Sequence, residues 1–156
     1  MKIKMTVPVA AILAVLFLAG YAYAGSFTDN GNGTVTDNST GLTWQKCGAG
    51  QNDDAGCSGK ATPLRWQQAL DYCNSLSLAG HSGWRIPNIT ELRSIVDDTK
   101  YGPAIDTTFF PNTNASDYWS STTFAYNPSL AWVVGFYGGV VYGYNKTNVS
   151  YVRCVR

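Results

Sequence analysis

The clearest periodicity in the chain lies in its last quarter, Tyr118 to Arg156, which reads YWSSTTFAYNPSLAWVVGFYGGVVYGYNKTNVSYVRCVR. Side chains along a strand alternate between its two faces. Trp132, Val134 and Phe136 therefore share one face, and Ala131, Val133, Gly135 and Tyr137 share the other. Gly138-Gly139 supplies a turn. Beyond it, Val141 continues the first face, and Val140, Tyr142 and Tyr144 continue the second. The first face predicts core. The second combines small residues and tyrosines with asparagines beyond them. It has no packing logic of its own, which makes it the candidate recognition surface. Short strands are predicted over 117–122, 130–136, 140–144 and 149–156.

Upstream the pattern changes. Phe27 to Asp37 carries Asn-Gly steps, whose positive φ angles suit a tight hairpin turn. Asn38 to Gly41 is a second turn, followed by a strand over Leu42–Gln45. Residues 47–62 form a loop. Leu64, Trp66, Ala69, Leu70, Cys73 and Leu76 then recur at helical spacing. This predicts a first helix capped by Thr62, with Pro63 in its first turn and Gly80 ending it. His81 to Pro87 is extended. A second helix is predicted over Ile89–Asp98, with Asn88 and Glu91 as a capping box and Ile89, Leu92, Ile95 and Val96 buried. Two helices followed by a run of strands give an α+β domain.

The first residues stand apart. Lys2 and Lys4 precede an apolar run from Val7 to Ala19, and Ala22-Tyr23-Ala24 is an A-x-A cleavage signal. Residues 1–24 therefore read as a secretory signal peptide cleaved after Ala24. Tyr21 stands where a lipoprotein box would need its cysteine. The expected mature domain is 25–156, secreted, periplasmic or displayed at the cell surface, with no stable membrane span after cleavage. Loss of the two lysines turns the formal +1 of the full sequence into −1. That leaves no basic excess for nucleic acid.

Export changes the reading of the cysteines. Cys47, Cys57, Cys73 and Cys154 form an even set behind a signal peptide, which implies two disulfides. Three pairings are possible. The favoured one joins Cys47 to Cys57 across a Gly/Asp/Asn-rich loop, and Cys73 to Cys154 between a helix and the last strand. No CxxC occurs and His81 is the single histidine, so no metal site is expected. The Asp/Asn/Gly run near residue 30 lacks the closing acidic residue of an EF-hand loop and is read as turn chemistry.

No catalytic constellation stands out. No GxSxG, Walker or dinucleotide fingerprint is present, and no cofactor is expected. Pairing would consume every thiol that could serve as a nucleophile. The five Asn-x-Ser/Thr sequences, at Asn38, Asn88, Asn114, Asn145 and Asn148, are read as turns and caps. Arg85, Arg93, Lys146, Arg153 and Arg156 could form a modest basic patch for sulfated or acidic glycans. Alternatively, they are solvated charges, with buried carboxylate partners for Arg85 and Arg153.

A set of short motifs occurs in order along the chain. They are Gly33-Thr34-Val35-Thr36-Asp37, Thr40-Gly41-Leu42-Thr43-Trp44, Trp66 through Ala69 to Cys73, Gly83-Trp84-Arg85-Ile86-Pro87, Glu91-Leu92, Tyr118-Trp119-Ser120-Ser121-Thr122 and Val152-Arg153-Cys154-Val155-Arg156. Jointly they make the mature chain resemble the Lcl C-terminal domain family, named for the terminal domain of a collagen-like bacterial adhesin. The resemblance implies a C-type-lectin-like fold, with two helices, a mostly antiparallel sheet of short strands and disulfide stabilisation. In such folds a helical cysteine pairs with one in the final strand, which supports Cys73–Cys154. The lectin Glu-Pro-Asn calcium motif is missing, since Ile86-Pro87-Asn88 offers no ligand oxygen at its first side chain. The family's adhesin members imply binding of sulfated glycosaminoglycans through Arg and Lys. Architectural kinship with formylglycine-generating enzymes implies a third, enzymatic alternative.

The tail carries a narrower likeness, to the variable regions of proteins diversified by retroelements that mutate adenines. Its frame would be Ala131-Trp132, Val134, Phe136, Gly139, Val141, Lys146, Tyr151 and the closing Val-Arg-Cys-Val-Arg. The gaps hold Val133, Gly135, Tyr137, Gly138, Val140, Tyr142, Gly143, Tyr144, Val149 and Ser150. Each of these residue types is reachable from an Asn codon by changing adenines alone. Asn145 and Asn148 would be unmutated template positions. Tyrosines with small neighbours suit a binding surface, because they give large contact area at low entropy cost. The resulting expectation is a ligand-binding domain, not an enzyme. Its site would be the gap residues, centred on Tyr137, Tyr142 and Tyr144. Trp132, Phe136 and Cys154 would hold that face from below. The partner would be a protein or glycan on another cell or surface.

Overall fold

The computed structural model describes residues 27–156. The leader predicted over 1–24 lies outside the described residues. The elements in order are β1 (Phe27–Asp29), β2 (Thr34–Asp37), β3 (Thr43–Gln45), β4 (Leu64–Arg65), α1 (Trp66–Ser75), α2 (Ile89–Ser94), β5 (Asp117–Thr123), β6 (Leu130–Gly135), β7 (Val140–Asn145) and β8 (Val149–Ser150). They form three antiparallel sheets, ordered β1-β2-β3, β4-β8 and β5-β6-β7. The domain is α+β and disulfide-stabilised.

The core is divided by β6. Val134 and Phe136 join one buried cluster with Leu92, Ile95, Val96 and Phe110, and so meet α2 and the segment after it. Ala131 and Val133 point the other way, as period-two alternation requires. They join a second cluster with Ala69, Cys73, Trp84, Trp119 and Cys154, and so meet α1 and the chain terminus. The two helices thus cover opposite faces of the β5-β6-β7 sheet.

This corrects the face assignment made from sequence. Ala131 and Val133 are fully buried rather than outward. Trp132, expected in the core, is half-buried, and its ring lies 4.8 Å from that of Phe124. Alternation correctly separates the two faces but cannot say that both are covered. The cover over Val133 comes from α1 and from residues 149–154, far away in sequence or not periodic.

The first helix also begins later than its pattern suggests. Leu64 and Arg65 pair with Ser150 and Val149 instead of opening the helix. Arg65 is the N-cap, and its backbone N–H donates to the Gln68 side chain (3.0 Å). Thr62 donates its N–H to the Ala49 carbonyl and caps nothing. The helix stops at Ser75, and residues 78–81 close a separate turn through paired Leu78 and His81 backbone bonds. The second helix is capped by Asn88 and Glu91 as predicted, each side chain accepting from the other's backbone N–H (2.9 and 2.8 Å). It is shorter than predicted, ending at Ser94.

Of the predicted strand 149–156, only Val149–Ser150 is regular. The remainder is extended and bonded to three different partners. Thr43 and Arg156 exchange two backbone bonds, as do Arg85 and Val155, and Gln45 donates to the Cys154 carbonyl. Cys73–Cys154 and Cys47–Cys57 are both bridged, which leaves no free cysteine. The Cys73–Cys154 bridge closes a separation of 81 residues, and Cys47–Cys57 closes one of 10. On the chain-entropy model, these constrain the unfolded chain by about 4.5 and about 2.7 kcal/mol respectively. A Cys73→Ala/Cys154→Ala variant should therefore lose more stability in urea denaturation than Cys47→Ala/Cys57→Ala. The reverse order would show that the unfolded-state constraint does not govern this fold.

Candidate functional site

Strand β7 lies at the edge of its sheet. It pairs with β6 through an unbroken register, from Leu130 opposite Asn145 to Gly135 opposite Val140. The turn between them is closed by Gly138 and Gly139, whose N–H groups both reach the Gly135 carbonyl (3.2 and 2.8 Å). Gly139 has φ of +76°, and a Cβ there would stand 2.8 Å from the Val96 side chain. No other residue fits without strain. The loop after α2 runs alongside this tip. Gly102 donates to the Tyr137 carbonyl and Ala104 to that of Phe136 (2.9 and 2.6 Å). These bonds set Tyr101 against Tyr137, with ring centroids 4.2 Å apart and planes inclined by 64°.

The predicted site residues separate into three groups. Tyr137 (56% exposed), Val140 (62%), Tyr142 (37%) and Val149 (52%) are open to solvent, together with Gly138 and Asn148. Tyr144 and Asn145 are half-buried. The Tyr144 ring packs against Trp119 (5.6 Å) and Tyr142 (6.2 Å), and the Asn145 side chain accepts from the N–H and hydroxyl of Thr147 in a turn. Val133, Gly135 and Ser150 are buried, contrary to their expected outward placement. Ser150 donates its hydroxyl to the Asp117 carbonyl (2.7 Å). Gly143 is half-buried and pairs with Trp132, on the other face, where Phe124 and Leu130 pack against it. The candidate surface is thus an edge strand and its turn, not an open sheet face. Phe136 and Cys154 lie in the buried layers below, whereas Trp132 packs elsewhere.

Tyr142 is the most constrained of the exposed tyrosines. Its phenol is pushed well above the ordinary tyrosine range, first by burial and then by a hydrogen bond to the Asp117 carboxylate and the charge of that group. Asp117 stands on β5 opposite Gly135, so the side chains of β5 and β7 meet over a glycine of β6. A Cβ on Gly135 would lie 3.1 Å from the Asp117 carboxylate and 3.9 Å from the Tyr142 ring. Sequence reasoning missed both Asp117 and Tyr101, because neither falls in the alternating stretch.

Four of the five basic residues have partners of their own. Arg85 makes a two-pronged pair with Glu91 (2.7 Å each), and Arg93 pairs with Asp98 (2.8 and 2.9 Å). Lys146 sits 3.9 Å over the Trp66 ring and donates to Thr123. Arg153 is buried without the carboxylate expected for it. Its Nη2 donates to Thr113 (3.0 Å), and its guanidinium lies over the rings of Phe110 (4.7 Å) and Tyr118 (5.9 Å). Burial pushes its pKa down. Among the described residues, no group of three or more His, Cys, Asp or Glu side chains gathers as a metal site, and no helix is long and apolar enough to cross a membrane. The carboxylates of the predicted turns accept locally, Asp29 from Gly31 and Lys46, and Asp37 from Ser39 and Thr40.

Comparison with protein families matches residues 33–156 to the Lcl C-terminal domain, and the chain belongs to that family. A comparison with curated proteins gave no match. Family membership suggests a surface or secreted binding domain.

Because folding raises the Tyr142 pKa, the folded state keeps this proton when the unfolded chain has lost it. The resulting stability is present below the unfolded value near 10 and is lost as pH rises through the folded one. In a pH titration followed by tyrosine ring NMR, Tyr142 should ionise later than free tyrosine. Asp117→Asn should bring that transition down. An unchanged transition would remove Asp117 as a cause.

Proposed function

We propose that this member of the Lcl C-terminal domain family is a secreted or surface-displayed recognition domain with a C-type-lectin-like fold. Its contact surface is the β7 edge and the adjoining turn. Binding proceeds by aromatic contact and hydrogen bonding without chemistry. The observation that carries this reading is where exposed apolar surface falls. Of six large hydrophobic side chains exposed among the described residues, Tyr137, Val140 and Tyr142 lie on β7 and its turn, and Tyr101 is packed on Tyr137. Single exposed apolar residues are ordinary, but a contiguous group marks an interaction site.

We also propose that the tail is diversified by a retroelement. The division between frame and gap positions supports this. Ala131, Val134, Phe136 and the 152–155 run of the frame are buried, and Gly139 is conformationally obligatory. Gly138 has no positive φ, and a Cβ there would meet only the exposed Tyr101 ring. Substitution is thus cheapest at the exposed gap positions; the buried Val133, Gly135 and Ser150 and the closely packed Gly143 are exceptions. The C-type-lectin-like reading is supported by the bond from helical Cys73 to Cys154 near the terminus. A cysteine-based enzyme would need a thiolate, and all four cysteines are bridged.

The test is a triple variant, Tyr137→Ser/Val140→Ser/Tyr142→Ser, compared with the wild type on arrays of immobilised cell-surface proteins and glycans, including sulfated polysaccharide. The variant should fold, since none of the three side chains is core, and should lose binding. Retained binding by the variant, or capture of sulfated polysaccharide that collapses with salt, would overturn the surface. For the tail, the gene's surroundings decide. A near-copy of the tail's coding sequence, differing only at adenines and beside a reverse transcriptase, is expected. A locus with neither rules out diversification.

A further inference from the structure

We infer that the recognition surface is completed by two residues outside the tail, Tyr101 and Asp117, and that it takes a cationic side chain, Lys or Arg, from a partner protein. This rests on the β7 edge being the contact surface. Tyr101 is 67% exposed and packed edge-on against Tyr137, so the aromatic surface continues across the loop after α2. Backbone bonds from Gly102 and Ala104 fix that loop to the tip, so Tyr101 is held in place rather than free to swing away.

Asp117 gives the surface its charge. It is half-buried beside Gly135, which leaves room for its carboxylate and the Tyr142 ring to approach each other. Among the described residues no ion pair involves it. Two cations on and after α2 already have carboxylate partners. Lys100 lies between Asp97 and Asp106 (3.4 and 3.2 Å), and Arg93 is held by Asp98. A carboxylate with no ion pair and a neutral phenol beside it keeps acceptor capacity for a charged donor. The Tyr142 ring beside it attracts the same cation through its face. Anionic ligands would meet an uncompensated negative charge here, and purely apolar ones would leave that charge desolvated and unpaired. Gly135 thereby acquires a role of its own. As a buried gap residue it touches no partner, but any side chain there would wedge Asp117 and Tyr142 apart.

The probes are N-acetyl-arginine amide and N-acetyl-lysine amide, with N-acetyl-norleucine amide as the uncharged control. They are titrated into the disulfide-intact protein and followed by NMR. The cationic probes should give saturable shifts at Gly135, Tyr142 and Tyr101, and the control should give none. Asp117→Asn keeps the shape of the side chain and removes the charge. It should weaken binding about tenfold, as loss of one charge-assisted hydrogen bond would. Asp71→Asn, on an exposed helical carboxylate, should leave binding unchanged. Equal shifts with norleucine amide, or Asp117→Asn binding as wild type, overturn the cationic assignment. If the triple tyrosine-face variant loses array binding while Asp117→Asn retains it, the surface stands and the cationic specificity falls. If neither variant matters on the arrays, the surface itself falls.

Discussion

The last six residues hold the domain together. Residues 151–156 run between the N-terminal sheet, the Arg85 segment and β5, and bond to each. Thr43 and Gln45 take up one side, Arg85 another, and Asp117 and Trp119 exchange bonds with Tyr151 at the near end. Cys154 lies at the crossing, with its sulfur bonded to α1 and its N–H reaching the Gln45 side chain (3.3 Å). Gln45 in turn donates to the Tyr72 hydroxyl (2.8 Å), so one buried amide ties β3, α1 and the terminus. A segment that satisfies its backbone against three partners cannot move in any of them without exposing buried polar groups, each costing on the order of 1–3 kcal/mol. Sequence changes nearby must therefore respect its geometry.

That rigidity determines where variation can be tolerated. With α2 on one face of β6 and α1 with the terminus on the other, β6 has no free side. The next strand outward does. Along β7, Val140 and Tyr142 are exposed and the other four residues are half-buried, and the strand has one paired edge and one open edge. Exposed edge strands invite unwanted pairing. Here the strand is short and its outer side chains are tyrosines, whose hydroxyls keep the surface polar at its tips. A rigid support beneath a chemically adaptable outer strand is the arrangement that binding surfaces need, because contacts are not diminished by ordering the support.

Much of this is legible in the sequence. The capping pair Asn88 and Glu91, the Asn-Gly hairpin and the bounds of three of the four tail strands follow from local chemistry, and the favoured cysteine pairing is the one formed. What failed has one physical cause. Thr62 looked like a cap because Pro63 follows it, but pairing of Leu64–Arg65 with β8 outweighed the local signal. Val133 looked outward because it alternates with Val134, yet long-range cover buried it. Arg153 looked as if it needed a carboxylate. Aromatic faces and one hydroxyl surround it instead, and no residue near it in sequence announces them. In each case the deciding contact is non-local, and periodicity is silent about what packs on a face.

The same limit explains why Asp117 and Tyr101 escaped notice. Each is unremarkable in its own segment, Asp117 at the start of a strand and Tyr101 in a loop two residues before Pro103. They acquire meaning only through β6, whose Gly135 brings β5 and β7 side chains into contact and whose continuation at Phe136 and Tyr137 anchors the loop. A glycine in a strand usually weakens it. This one opens a passage across the sheet, through which a fixed acidic residue reaches a tyrosine of the tail. On the proposed reading, the surface combines exposed residues of the tail with an acidic residue of β5, and a change at Tyr137 or Val140 would leave Asp117 and its charge in place.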